Sequence, residues 1–130
     1  MVETNGRNFD LLTLGQVLLR LSPPDNERLS RGDTFVKQVG GAELNVAVGA
    51  ALLGLHTGVI SKLPAHDIGS FMKGKIRSFG VSDDFFMYDQ SPAARVGIYY
   101  YENGAYPRKP KVIYDRNHSS FFSLDIDEIP

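Results

Sequence analysis

The spacing of apolar residues changes several times along the first half of the chain. The short runs "FDLLTLG" and "QVLLRL" are typical of strands, and "TFVKQV" alternates with a period of two, as a half-exposed strand does. In "AELNVAVGAALLG" the apolar residues Leu44, Val48 and Ala51 follow helical spacing instead. The opposite side of this helix is also small and apolar, so we expect it to be covered on most sides. Gly54 is predicted to end the helix.

The same alternation of strand and helix continues in the second half. "TGVISKL" and "VSDDFFMYD" read as strands, and "HDIGSFMKGKIRSFG" reads as an amphipathic helix that ends at Gly80. Strands that alternate with helices predict an α/β fold in which the strands pair in parallel and helices flank the sheet. We expect this sheet to contain Leu11–Leu14, Thr57–Lys62 and Phe85–Tyr88.

Three further segments fit the parallel sheet poorly. Residues 34–39, 94–102 and 111–116 alternate polar and apolar side chains, and a Gly/Pro-rich connection joins the last two. Such strands predict a separate, partly exposed sheet over one end of the α/β layer, with a crevice between the two. Because one of these strands must lie at an edge, we also expect two copies of the chain to pair through this sheet as a homodimer.

Composition and charge exclude several classes of protein. The 130 residues carry a net charge of -1 without a basic stripe, which argues against nucleic acid and against an anionic membrane surface as partners. The chain has no cysteine, which fits a reducing cytoplasm. The 18 residues from Leu44 to Ser61 lack a formal charge, but Asn45 and His56 interrupt them, so a buried helix and a strand explain the run better than a membrane span.

Histidines and acidic pairs do not predict a metal site. The histidines are far apart in predicted turns or loops, without a carboxylate pair at ligand spacing, and we expect them at the surface: His56, His66 and His118. Two acidic pairs are expected to be solvated or to cap helices: Asp83–Asp84 and Asp127–Glu128.

The stretch "QVGGAELNVA" places two glycines directly before the first helix. Glycine permits positive φ and a close approach to the backbone, while a helix N-terminus offers unpaired N–H groups. No lysine follows as in a phosphate-binding loop, and the spacing is not Gly-x-Gly-x-x-Gly. The residues alone fit a tight turn and a binding site equally well. Asn45 either satisfies local backbone groups or binds the hydroxyls of a ligand.

The longer stretch "GGAELNVAVGAALLGLHTGVISKLPAHDIG" resembles the N-terminal motif of the ribokinase-like (PfkB) carbohydrate kinases. Within that family, "LGQVLLRLSPP" and "VGIYYYENG...KVIYDR" are most similar to 2-keto-3-deoxygluconate kinases. The resemblance implies a ribokinase-like parallel sheet with a small β-sheet lid, and phosphorylation of a sugar or sugar acid by ATP with Mg²⁺. It also implies that residues 1–130 are the N-terminal, substrate-binding portion of such a kinase, because the family's catalytic Gly-Ala-Gly-Asp segment is absent. We expect this portion alone to be inactive, with no catalytic residue and no cofactor of its own.

The resemblance also implies a set of substrate-binding residues. The first three would contact sugar hydroxyls, and the others would reach the same crevice from the lid: Gly40, Gly41, Asn45, Tyr99, Tyr114 and Arg116. An arginine can hold a carboxylate through two parallel hydrogen bonds, although the two tyrosines could equally serve sheet packing and the arginine could be solvated.

Two residues depart from the family pattern near this crevice. Gln16 stands where related kinases have Glu, and Arg20 stands where many neutral-sugar kinases have an aspartate. A cation at position 20 favours an acidic substrate. The loop with Pro64 and His66 also departs from the family pattern, keeping only Asp67 and Gly69 of its core.

Other functions remain open. The chain could belong to a fructokinase-type kinase of neutral sugars, or act as a sugar-binding or regulatory module. A nucleotide-binding α/β domain is less favoured, because the chain lacks both the phosphate-loop lysine and the ribose-binding acidic residue.

Overall fold

A computed structural model describes residues 2–4 and 7–130 of the chain. The helices are α1 (Ala42–Leu52) and α2 (Asp67–Ser78). The strands follow in chain order: β1 (Val2–Thr4), β2 (Arg7–Phe9), β3 (Leu11–Leu14), β4 (Leu18–Ser22), β5 (Val36–Gly40), β6 (Thr57–Pro64), β7 (Val81–Ser82), β8 (Phe86–Asp89), β9 (Gly97–Glu102) and β10 (Lys111–Asp115). Short 3-10 turns cover Ser120–Ser123 and Ile126–Glu128.

A parallel sheet forms the centre of the molecule, as the sequence predicts. Strand β6 pairs in parallel with β3 on one side and with β7 and β8 on the other. The observed β6 extends to Pro64, two residues beyond the predicted end at Lys62, and β8 starts at Phe86. The parallel strands and the helices between them confirm the predicted fold class.

The core lies between this sheet and the two helices. Helix α2 buries Met72 and Ile76, which are four residues apart and therefore share one face of the helix. Val59 and Leu63 of β6 are also buried in this cluster. The buried hydroxyl of Thr57 donates a 3.0 Å hydrogen bond to the carbonyl of Ala47, which attaches α1 to the start of β6. The positions of both helices relative to β6 are thus fixed.

Helix α1 is less covered than its composition predicts. Leu44 and Ala47 are buried against β3 and β6, while Val46 on the other side is 57% exposed. Leu52 and Leu53 at the end of the helix are 79% and 85% exposed. The expectation that this helix is covered on most sides is wrong for the part of the chain that the structure describes, because only one face of α1 packs on the sheet there.

A second sheet has four strands in the order β10-β9-β4-β5. Strand β4 was not expected in it: it pairs in parallel with β9 and antiparallel with β5, and so connects two segments far apart in sequence. One face of this sheet, with Leu19, Val39 and Ile98, packs on the core. Because side chains alternate along a strand, the opposite face carries Leu18, Arg20 and their neighbours across the sheet.

Two further features of the described residues bear on the sequence analysis. His56 is half-buried rather than at the surface, because its ring stacks on Phe9 with 4.2 Å between centroids. His66 and His118 are exposed, and the His66 ring accepts a hydrogen bond from the backbone N–H of Ile68 at the start of α2. Neither helix among residues 2–4 and 7–130 has the length and apolar character required to cross a membrane.

Two glycines of α2 give matched substitutions with opposite expected effects. A Cβ at Gly69 would overlap the carbonyl oxygen of Pro64, whereas a Cβ at Gly74 would meet no atom within 4 Å. We expect Gly69→Ala to lower the free energy of unfolding by about 1–3 kcal/mol through overpacking. Gly74→Ala should raise it by about 0.5–1 kcal/mol, since alanine loses less backbone entropy in a helix.

Chemical denaturation of both variants beside the unchanged protein measures this difference. Equal effects of the two substitutions would show that the close contact between α2 and the end of β6 does not exist.

Candidate functional site

The turn from β5 into α1 depends on Gly41. Its φ of 126° lies in the region that side chains rarely adopt, and a Cβ there would lie 2.7 Å from the carbonyl oxygen of Gln16. Helix α1 begins at the next residue. The N–H groups of its first turn have no intrahelical partner, as in any helix, and no side chain of the N-cap residue accepts from them. Glycine at position 41 therefore lets the turn between β5 and α1 lie close to the backbone of Gln16, which precedes β4.

Gly40 has a different role from its neighbour. It is buried, and a Cβ there would overlap the hydroxyl of Tyr99. The absence of a side chain lets the Tyr99 ring lie over the turn, where its centroid is 6.0 Å from that of Tyr114. Burial raises the pKa of the Tyr99 hydroxyl, and the nearby Arg20 guanidinium partly offsets this rise. Tyr99 is therefore protonated at neutral pH and can donate a hydrogen bond.

A crevice opens between the second sheet and the N-terminus of α1. Its volume is about 300 Å³, and its lining residues include five of the six substrate-binding residues that the family resemblance implies: Gly41, Asn45, Tyr99, Tyr114 and Arg116. Leu18 and Ala42 complete the lining. Gly40 does not line the crevice but supports Tyr99 from below. Asn45 is exposed in the first turn of α1, and its backbone N–H donates to the carbonyl of Gly41 at 2.9 Å.

A second crevice of about 490 Å³ adjoins the first and shares part of its lining, including Gly41 and Arg116. It extends past the end of β3 at Leu14 and Gly15 toward Phe122. The combined space therefore runs from the lining tyrosines across the helix N-terminus to the carboxyl end of the parallel strand β3. Carboxyl ends of parallel strands are where open α/β sheets bind ligands.

Arg116 follows directly after β10 and is held at its backbone. The Gln16 side-chain amide donates to the carbonyl of Arg116 at 3.3 Å and to the Ser119 hydroxyl at 2.5 Å. The exposed guanidinium lies 4.8 Å from the centroid of the Tyr114 ring, a cation–π distance. A glutamate at position 16 would lack the N–H that reaches the Arg116 carbonyl, so the departure from the family pattern has a local structural consequence.

The segment that follows Arg116 is anchored to the end of β8. The Ser120 hydroxyl donates to the Asp89 carboxylate at 2.7 Å, and the Ser91 backbone N–H donates to the same carboxylate at 2.9 Å. These two bonds hold the pKa of Asp89 below its usual value. Arg95 donates to the backbone carbonyls of Asp115 and Asn117, each at 3.1 Å. Both sides of Arg116 are therefore tied to the body of the molecule.

The charge of the crevice favours an anionic or oxygen-rich ligand. Arg116 is the charged residue in the lining of the first crevice, and the positive end of the α1 dipole points to the same space. Glu43 lines the second crevice. Among residues 2–4 and 7–130, His, Asp and Glu do not form a group of three or more that could hold a metal ion.

Sequence reasoning missed Leu18 and Gly97 as residues that shape the site. Gly97 starts β9, and a Cβ there would lie 2.5 Å from the Gln16 amide nitrogen and 3.0 Å from the Cβ of Arg116. Leu18 lies beside Gly97 in the parallel pair of β4 and β9. The available signal was the strand-like apolar run "QVLLRL", but nothing in the sequence indicated that this strand pairs with "VGIYYYE".

Comparisons with known proteins agree on one family. The profile of the pfkB family carbohydrate kinases matches residues 8–128. The chain is 38% identical over 120 residues to a 2-dehydro-3-deoxygalactonokinase from Haloferax volcanii. The aligned region covers 92% of this chain and 37% of that protein. The crystal structure of a 2-dehydro-3-deoxygluconokinase from Thermotoga maritima superposes with a TM-score of 0.85 and 39% identity, over 92% of this chain and 36% of that one.

A more distant neighbour has the same fold. An uncharacterised sugar kinase from Pyrococcus horikoshii, solved in complex with ATP, gives a TM-score of 0.78 at 23% identity, over 92% of this chain and 38% of that one. The chain thus spans little more than a third of the length of the relatives that it matches.

Proposed function

Because this chain belongs to the pfkB family of carbohydrate kinases, we propose that it is the substrate-binding portion of an ATP-dependent sugar-acid kinase. The observation that carries the proposal is the meeting of Asn45, Tyr99, Tyr114 and Arg116 in one crevice at the Gly41 turn. Hydroxyls of the sugar would bind at Asn45 and at the helix N-terminus, and its carboxylate would bind the Arg116 guanidinium. 2-Keto-3-deoxygluconate has both kinds of group and is the substrate that we propose.

The preference for an acid over a neutral sugar rests on the charged groups. Arg116 forms no ion pair with a carboxylate in the described part of the chain, and Gln16 fixes its backbone rather than its guanidinium. The guanidinium is thus available to a ligand. The similarity to 2-dehydro-3-deoxygluconokinase and 2-dehydro-3-deoxygalactonokinase supports the same substrate class. A fructokinase-type kinase of neutral sugars is the alternative outcome of the experiment below.

Phosphoryl transfer would depend on residues that this chain does not supply. The described carboxylates and histidines do not cluster as Mg²⁺ ligands, and the sequence has neither a Gly-Ala-Gly-Asp segment nor a phosphate-binding loop with lysine. Val46 and Leu52 of α1 and Leu53 directly after it are exposed apolar residues, and β3 has an edge with no strand beside it among the described residues. The remainder of such a kinase could pack on these surfaces. We therefore assign ATP and Mg²⁺ to the full-length kinase and only the sugar to the 130 residues.

We further propose that the second sheet is the lid over the bound sugar and the surface for homodimerisation. Its outer strands β5 and β10 have no strand beyond them among the described residues. Phe35 and Ile113 are 46% and 49% exposed, and the Phe35 ring lies 5.8 Å from that of Tyr100 between them. A second copy would cover this apolar patch and pair with an open strand edge.

Replacing Ile113 tests the dimer. We expect the full-length protein to sediment as a dimer in analytical ultracentrifugation, and Ile113→Asp to shift it largely to monomer, because the substitution places a charge in the apolar patch. Gln90→Asp, at an exposed position after β8, serves as the matched control and should leave the dimer intact. A monomeric unchanged protein at high concentration would contradict the proposal.

Replacing Arg116 tests the substrate class. In the full-length kinase, Arg116→Ala should raise the Michaelis constant for 2-keto-3-deoxygluconate by roughly 10- to 150-fold, because a hydrogen bond to a charged group contributes about 1.5–3 kcal/mol. The Michaelis constant for fructose and the affinity for ATP should change little. Steady-state kinetics with both sugars measure the difference.

The matched control is Lys111→Ala, which removes a cation from the opposite end of β10. This variant of the full-length kinase should leave the Michaelis constants for both sugars unchanged. In a separate assay, the 130-residue chain alone should phosphorylate neither sugar. Equal losses with both sugars after Arg116→Ala would mean that Arg116 does not bind a carboxylate, and a neutral sugar would then be the better substrate.

A further inference from the structure

Arg20 lies beside the crevice on the face of the second sheet that the tyrosines share. In the parallel pair of β4 and β9 it is directly opposite Tyr99, and two residues before it Leu18 lines the crevice. Side chains of directly paired residues lie on the same face of a sheet. Arg20 therefore lies next to Tyr99 without lining the crevice itself.

The guanidinium of Arg20 has no anionic partner in the described part of the chain. The side chain is half-buried, its Nε atom is fully buried without a hydrogen-bond acceptor, and no ion pair between described residues includes it. Its Cζ atom lies 5.9 Å from the centroid of the Tyr101 ring, the outer limit of a cation–π contact. A partly desolvated cation without a carboxylate leaves a net positive potential at the crevice wall.

The chemistry of arginine determines what it can do to Tyr99. Arg20 is paired directly with Tyr99 across the strands, and its positive charge acts on the Tyr99 hydroxyl by lowering the pKa of that group, against the rise that burial causes. A guanidinium has hydrogen-bond donors but no acceptor. In a hydrogen bond between the two side chains the Tyr99 oxygen can only accept, which leaves the phenolic O–H to point elsewhere. The hydroxyl end of Tyr99 lies over Gly40 on one side, and Tyr99 lines the crevice on the other, so the crevice is the open side for that proton.

We propose that Arg20 is a positioning residue for substrate specificity: it turns Tyr99 into a hydrogen-bond donor toward the bound sugar acid and adds a second positive charge on the side of the tyrosines opposite Arg116. The two arginines flank the tyrosines, so that an acidic sugar meets donors and positive charge on the lid side of the crevice. The inference rests on the proposed kinase function and deepens it, since it assigns the preference for an acid to two residues instead of one.

A double-mutant cycle in the full-length protein tests this role. Arg20→Met keeps the length of the side chain without charge or donors, and Tyr99→Phe removes the hydroxyl. We expect each single substitution to lower kcat/KM for 2-keto-3-deoxygluconate about 10-fold, chiefly through KM, and the double variant to lose no more than about 20-fold, because the two residues act as one unit. The value for fructose should change less than about 3-fold.

Two further variants separate charge from packing. Arg20→Lys keeps a positive donor and should retain the preference for the acid to within about 3-fold, whereas Arg20→Gln should lose it. Lys37→Met is the matched control: Lys37 is a cation of the adjacent strand β5 on the opposite face, with its ammonium 4.3 Å from the Phe71 ring centroid, and its loss should leave the preference unchanged. If Arg20→Met does not fold, the role of Arg20 is tested by comparing the preference for the acid in Arg20→Lys with that in Arg20→Gln.

The outcomes distinguish the two proposals. A full-length protein that phosphorylates no sugar acid would overturn the proposed function itself. If the protein does phosphorylate the acid, losses that multiply to about 100-fold in the double variant, or equal losses for acid and fructose, would overturn the role of Arg20 and leave the kinase assignment intact.

Discussion

The turn at Gly41 admits no side chain, and the geometry of the crevice depends on that constraint. Its positive φ directs the backbone from β5 into α1, and the close approach of Gln16 occupies the place where a Cβ would lie. The same turn brings the N-terminus of α1, with Asn45 in its first turn, to the edge of the second sheet. A side chain at this position would meet the Gln16 carbonyl oxygen and a backbone conformation that residues other than glycine rarely adopt.

Gln16 connects this turn to the opposite wall of the crevice. Its backbone carbonyl lies against Gly41, and its side-chain amide donates to the Arg116 carbonyl and to Ser119. A single residue between β3 and β4 therefore sets the distance between the helix N-terminus and the arginine. Asp89 and Arg95 hold the segment around Arg116 from its other side. The exposed arginine thus has a fixed backbone and a free guanidinium, a combination that suits a ligand-binding group.

Much of the fold could be predicted because local patterns agree with the tertiary structure. The periods of "AELNVAVGAALLG" and "HDIGSFMKGKIRSFG" gave both helices, and glycines at positions 54 and 80 mark their ends with positive φ. The position of β4 could not be predicted, since its partner β9 lies about 80 residues later and strand pairing over such a distance leaves no local signal. The exposed face of α1 was missed for a related reason, because amino-acid type alone does not tell what covers a helix.

The site residues came from a family resemblance, and the structure adds what the resemblance could not give. Five of the six line one crevice, while Gly40 supports the Tyr99 ring. The half-buried Arg20 next to Tyr99 follows only from the register of β4 and β9. Physical reasoning on the sequence had noted that cation, but it could not tell which face of the strand carries it.

The most direct test of the central claim is a crystal structure of the full-length protein with 2-keto-3-deoxygluconate bound. The account predicts that the carboxylate lies about 2.7–2.9 Å from the guanidinium nitrogens of Arg116, with sugar hydroxyls at Asn45 and at the helix N-terminus beside Gly41. A sugar acid bound with its carboxylate away from Arg116, or outside the crevice between α1 and the second sheet, would contradict it.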